Sequence, residues 1–179
     1  LDITDKGGGQ GPVTEADLAI DRMLRETLTA ARPGYGWLSE ESEDDQARLV
    51  ADRVFIVDPI DGTRAFIDGQ TSFAHSLAIA EHGEVVAGVV HLPEKGRTYA
   101  ALRSHGATLN GAPLSVAHAP VLSDADVLAG RFNLDPRHWQ GGTAPAFRRH
   151  FRPSLAYRMG LVAEGRFDGM LTLRNTWEW

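Results

Sequence analysis

Residues 54–69 read VFIVDPIDGTRAFIDG, and the parsing of that stretch decides the fold. Residues 54–57 are apolar and mostly β-branched, the composition of a buried strand, which is predicted to end at Asp58. Pro59 sets the next backbone dihedral, so Asp58 and Asp61 are expected to leave one tight turn and point toward a common spot. Two carboxylates held that close repel unless they are protonated or share a cation. A hard cation removes the conflict, and Mg2+ is the usual partner of carboxylate, carbonyl and water oxygens. Gly62 and Thr63 precede RAFI, read as the first turn of a short helix whose backbone N–H groups are open to an anion. Cation and anion sites side by side are what metal-assisted phosphoryl transfer requires. A D-P-x-D turn alone is more often structural, so the neighbouring segments carry the rest of the weight.

Upstream, residues 13–34 (VTEADLAIDRMLRETLTAARPG) form the clearest helix in the chain. Thr14 and Asp17 have the spacing of a capping box, Ile20, Met23, Leu24 and Leu28 recur on one face, and Pro33-Gly34 ends it. Asp17 is thus a cap or a working acid. Ahead of it, DKGGGQGP is read as a loop; no strand is expected before it and no G-K-[ST] follows, which weakens a phosphate-loop reading. LSEES at residues 38–42 puts Glu40 and Glu41 behind an apolar Trp37-Leu38, and taken alone it is an exposed acidic turn. Downstream, residues 76–116 show β-rich runs divided by His82-Gly83-Glu84, Glu94-Lys95-Gly96 and Asn110-Gly111, which predicts an antiparallel meander. Residues 154–164 read as a helix and 167–173 as a strand. The organisation is α+β: an N-terminal domain over residues 1–120, then the start of an α/β domain over 121–179.

Composition narrows the function classes. With 179 residues, 42% of them hydrophobic, the chain has enough apolar surface for a sizeable core. No apolar run reaches the length of a membrane span and the N-terminus lacks a secretory layout, so a soluble, cytoplasmic protein with no membrane partner is expected. The absence of cysteine excludes disulfides, thiolate metal sites and a cysteine nucleophile. A net charge of −6 argues against a nucleic-acid polymer as partner. Locally, six arginines between Arg131 and Arg158 face a single acid, Asp135; they are either a solvated or subunit-contact face, or a rim that attracts an anionic substrate. The seven histidines show no metal-ligand spacing and are read as surface or strand residues.

PVTEAD, LSEES and VFIVDPIDGTRAF, in that order, resemble the inositol monophosphatase family, Mg2+-dependent and often lithium-sensitive phosphatases whose wider clan includes 3'(2'),5'-bisphosphate nucleotidases, histidinol phosphatases and fructose bisphosphatases. The resemblance runs from about Lys6 to the end. It implies a layered αβαβα sandwich, two or three Mg2+ ions and a homodimer acting on a small anionic phosphate ester. It further implies that Glu40, Asp58, Asp61 and the Ile60 carbonyl bind metal, with Glu41 a supporting acid. Thr63 and Asp17 match the pair that positions and deprotonates the attacking water, and the Gly62 and Thr63 amides match the phosphate cradle. Lys6 falls in a mobile lid near the phosphate, or is a solvated lysine.

Departures concern the C-terminal end and the substrate. The family's last metal ligand is the aspartate of a W-D-x-A-A-G-like motif, which would fall one residue past Trp179; reading Trp177-Glu178 as the motif would supply a glutamate instead. The chain is accordingly read as a fragment with an incomplete C-terminal layer. Where inositol monophosphatases resemble one another in a sugar-binding glutamate and a Gly-Ser or Gly-Thr pair opening the late helix, this chain has Leu173 and Pro153-Ser154. Inositol monophosphate and a bisphosphate nucleotide such as 3'-phosphoadenosine 5'-phosphate are both open as substrates, with histidinol phosphate third. A phosphate-binding protein without catalysis is the rival of another class.

Overall fold

The apolar run forms the core of a strand, β4 (Arg53–Asp61), which continues through the acidic motif instead of ending at Asp58. The structure, a computed structural model, describes residues 2–7, 11–117 and 121–173. His118, part of the glycine loop and the Trp177-Glu178-Trp179 end lie outside the described residues, and the boundary expected at residue 120 falls beside them.

β4 is the second strand of a seven-stranded sheet whose order follows the chain, beginning with β3 (Gly36–Ser39). Only β3 runs parallel to its neighbour. The expected meander follows as β5 (Ala74–Glu81), β6 (Glu84–Leu92), β7 (Arg97–Leu102), β8 (Gly106–Leu109) and β9 (Ala112–Pro113), all antiparallel. Asn110 and Gly111 both take positive φ, 49° and 83°, as a two-residue hairpin turn requires. Before the sheet, β1 (Ile3–Asp5) pairs antiparallel with β2 (Pro12–Thr14). The glycine loop therefore does follow a strand, a three-residue one too short and too exposed to show an apolar pattern.

α1 (Glu15–Ala31) begins at the expected capping box, with Thr14 at the cap and Asp17 at the third helical position. Its inner face is less apolar than the spacing suggests. Asp17 and Asp21 are buried, Leu24 and Leu28 pack against Trp37, Phe55 and Val57, and Met23 is half exposed at 52%. Two buried acids at the start of a helix have to be held by other polar groups or by a cation.

On the opposite face of the sheet, Ala74, Leu92 and Tyr99 share one core with Ala156, Tyr157 and Leu161 of α3 (Leu155–Ala163) and with Leu128 and Phe167. The approach is close, since a Cβ at Gly160 would stand 2.7 Å from the Tyr99 ring. Beyond α3, β10 (Asp126–Ala129) lies between β11 (Arg148–His150) and β12 (Gly169–Leu171) in a parallel three-stranded sheet. Among the described residues no helix is long and apolar enough to cross a membrane.

Candidate functional site

β4 and β5 pair in regular register from Arg53↔Glu81 to Asp58↔Ser76, and pairing resumes at Asp61↔Ala74. Pro59 and Ile60 therefore stand opposite His75 alone, a two-against-one bulge. In an unbroken strand, residues three apart point to opposite faces. The extra residue shifts that parity, so Asp58 and Asp61 emerge on one face, the face toward α3. The strand thus achieves what the tight turn was expected to do.

Asp58 is 6% exposed, and among the described residues its Oδ1 has no hydrogen-bond partner. Burial, and then the charges of Asp61 and Glu40, push its carboxyl up to about 9. Asp61 is held differently: its Oδ2 accepts from Ser154 Oγ at 2.5 Å and from the Ala156 amide at 2.7 Å, tying the acidic bulge to the start of α3. Ser154 does this from a strained backbone, with φ of 64°.

Glu40 and Glu41 leave the end of β3, where the Glu40 amide donates to the Val57 carbonyl at 3.1 Å. Lys6 Nζ reaches both, at 3.2 Å from Glu40 and 2.6 Å from Glu41. Burial opposes the Lys6 charge, but the two glutamates outweigh it and raise its pKa. Burial likewise raises Glu41, and the opposing Lys6 contact does not cancel it because Glu40 and Asp17 add negative charge. Lys6 is therefore neither simply solvated nor unattached; it is the internal counter-ion of this acidic cluster.

Asp17 uses Oδ2 for the cap, accepting from Thr14 N at 2.9 Å and Thr14 Oγ1 at 2.5 Å. Its Oδ1 faces Thr63 Oγ1 at 3.4 Å, and the same hydroxyl donates to the Ile60 carbonyl at 3.1 Å. Thr63 opens α2 (Thr63–Ile67), a helix capped by Gly62 in the left-handed conformation at φ 96°. Ten residues singled out in the sequence thereby come together: Lys6, Asp17, Glu40, Glu41, Asp58, Ile60, Asp61, Gly62, Thr63 and Ser154.

A profile of the inositol monophosphatase family matches residues 1–179. This chain belongs to the inositol monophosphatase family. It is 40% identical over 167 residues to an inositol-1-monophosphatase of Rhizobium meliloti, covering 88% of this chain and 61% of that protein. A histidinol-phosphatase of Mycobacterium tuberculosis is 39% identical over 169 residues, covering 88% of this chain and 63% of its own length. The chain thus spans less than two thirds of either relative. The structure of the suhB protein of Bartonella henselae superposes with a TM-score of 0.80 at 31% identity, over 95% of this chain and 67% of that one. The layered α+β sandwich expected from the resemblance is the fold observed.

Among the described residues, no three carboxylate or imidazole groups lie close enough together, as they stand, to hold a metal ion. Internal donors account for part of this: Lys6 occupies Glu40 and Glu41, and α3 occupies Asp61. The orphaned, buried Oδ1 of Asp58 among hard oxygen donors nevertheless fits a hard cation.

Three contributors were missed in the sequence. Ser39 Oγ donates to Asp21 Oδ1 at 2.5 Å and accepts from the Glu41 amide at 3.3 Å, so a buried pair orients the glutamate turn. Asp21 stands one helical turn after Asp17, and that i, i+4 spacing was the available signal. His75, which faces the bulge, carried none.

Proposed function

We propose that the chain carries the centre of a Mg2+-dependent phosphomonoesterase that hydrolyses a small phosphate ester by direct attack of water. The observation that carries this reading is the Thr63 hydroxyl between Asp17 and the Ile60 carbonyl, beside the buried acids. Glu40, Asp58, Asp61 and the Ile60 carbonyl would hold two or three ions, with Glu41 in support. Bound there, Mg2+ neutralises the carboxylates and supplies the Lewis acidity that phosphate ester cleavage needs. The chain's own groups do the rest. Thr63 Oγ1 accepts from the attacking water and turns its own proton from the Ile60 carbonyl to Asp17 Oδ1, so that Asp17 takes up the proton the water loses. The Gly62 and Thr63 amides receive phosphate oxygens, and Ser154 keeps Asp61 in place. As the water oxygen bonds to phosphorus, the ester P–O bond breaks, and the alkoxide takes a proton from solvent and leaves as an alcohol. Lys6, on the glutamate turn at 3.2 Å from Glu40 and 2.6 Å from Glu41, would supply a positive charge to the phosphate.

For the substrate, inositol monophosphate is the first reading, supported by the name of the Rhizobium meliloti relative. A second, a bisphosphate such as 3'-phosphoadenosine 5'-phosphate, is favoured by one feature. A cleft of about 550 Å³ lined by Arg131, Arg149, Arg158, Phe132 and Phe151, with no acid in its wall among the described residues, adjoins Leu155 at the start of α3. The deciding experiment is Mg2+-dependent phosphate release by the full chain from both esters, histidinol phosphate and p-nitrophenyl phosphate in parallel. Release that stops on chelation is expected; a folded protein with Mg2+ that releases phosphate from none of the four leaves a binding protein as the better reading.

Metal removal supplies a further check. In metal-free protein burial, together with the charges of Asp61 and Glu40, keeps the Asp58 carboxyl protonated at neutral pH, where the unfolded chain would ionise it; Asp58→Asn removes that cost and is expected to raise the melting temperature, by roughly 2–4 °C per kcal/mol recovered. Added Mg2+ should stabilise the wild type and not the variant. A wild type whose melting temperature is indifferent to both EDTA and Mg2+ would count against a cation at Asp58.

A further inference from the structure

We propose that His75 is a positioning residue that locks the β4 bulge and thereby sets the spacing of Asp58 and Asp61. The inference rests on the reading of those two carboxylates as metal ligands. Its basis is geometric. The break in register between Asp58 and Asp61 falls at Pro59 and Ile60, where the bulge disrupts the ladder. Pro59 is among the most deeply buried side chains of the protein, and an unpaired carbonyl in such surroundings is unfavourable. His75 Nδ1 stands 2.5 Å from that oxygen. A carbonyl only accepts, so Nδ1 carries the proton and donates.

The ring that makes this bond is itself fixed. It stacks on His91 of β6, its register partner, with centroids 6.0 Å apart and planes at 24°. His91 Nδ1 in turn bonds Thr98 Oγ1 of β7 at 2.9 Å. On the other side the Phe73 ring meets His75 edge-on at 6.1 Å, and Phe73 meets Phe66 of α2 at 5.0 Å. One row of rings thus ties α2, the helix that Thr63 opens, to the bulge and to two further strands. Alternation along β5 puts His75 on the opposite face from Ala74 and Ser76. It grips the bulge from behind while Asp58 and Asp61 project in front. Without the grip, the extra residue is free to migrate along β4, and a one-residue slip would return the two carboxylates to opposite faces.

The test compares wild type, His75→Asn and His75→Phe as full chains, reading Mn2+ binding by titration calorimetry. Asparagine presents an amide N–H near the position of Nδ1; phenylalanine keeps a ring and removes the donor. His75→Phe is expected to bind Mn2+ about tenfold more weakly, the scale of losing a group that orients a metal ligand, and His75→Asn to stay close to wild type. Equal affinity in wild type and His75→Phe overturns the inference, as does a loss shared equally by both variants, since the donor would then not be what matters. Should the phenylalanine variant not fold, nitrogen NMR of the wild-type imidazole decides: a neutral ring protonated at Nδ1 supports the lock, and one protonated at Nε2 overturns it. No Mn2+ binding by wild type overturns instead the metal reading on which the lock depends.

Discussion

Asp61→Asn is expected to reduce phosphate release by roughly a thousandfold while the protein keeps its fold. The two halves of that expectation come from the two oxygens of one side chain. Oδ2 accepts from Ser154 Oγ and the Ala156 amide, and an asparagine carbonyl can take both bonds, so α3 stays docked. The charge that would hold a cation is lost. Lewis-acid stabilisation of phosphate is worth several kcal/mol, and at roughly 1.4 kcal/mol per tenfold in rate its removal amounts to about three decades. Asp61→Ala is the control: it also strips two donors at the start of α3 of their acceptor, so activity and melting temperature should fall together. Near-normal turnover in Asp61→Asn, measured at saturating Mg2+, would remove Asp61 from the metal set.

The second large effect is on stability. Leu161→Ala should destabilise the protein by about 3 kcal/mol, the usual scale for a buried leucine truncated in a core that cannot collapse. Leu161 has no exposed surface and packs among Tyr99, Leu128 and Phe167. It therefore joins α3 to both sheets, and the close seating of Gly160 on the Tyr99 ring leaves α3 little freedom to settle into the void. The expected drop is roughly 6–12 °C in melting temperature at 2–4 °C per kcal/mol, read by calorimetry on the metal-free chain. Because Ser154 at the start of α3 holds Asp61, Mg2+ affinity should weaken as well. A drop below 1 °C would mean that α3 is not clamped through this residue.

Much of the site was legible because its chemistry is concentrated in short motifs. Asp58, Asp61, Gly62 and Thr63 lie within six residues, and local steric rules assign them to a strand end and a helix start. The Thr14–Asp17 capping box was readable for the same reason, since both partners lie in one helical turn. Met23 was misplaced because an apolar spacing does not reveal that Asp17 and Asp21 take the inner face of the first two turns. Lys6 was ambiguous because its partners, Glu40 and Glu41, are 34 and 35 residues away in sequence.

By itself the sequence determined the α+β class, the antiparallel meander and the capped first helix, each a matter of local periodicity or contiguous motif, while the acids and threonine of the candidate site were singled out by the Asp58–Asp61 motif and by resemblance to a family. Only the tertiary structure decided that Asp58 and Asp61 share a face. That follows from a bulge, and a bulge is a property of two strands in register, with β5 supplying one residue, His75, where β4 supplies two. Tertiary packing also decided that Asp61 anchors α3, that Asp21 and Ser39 orient the glutamate turn, and that Lys6 balances it. Each is a contact between residues far apart in the chain, and no local pattern encodes which distant donor a buried carboxylate will meet.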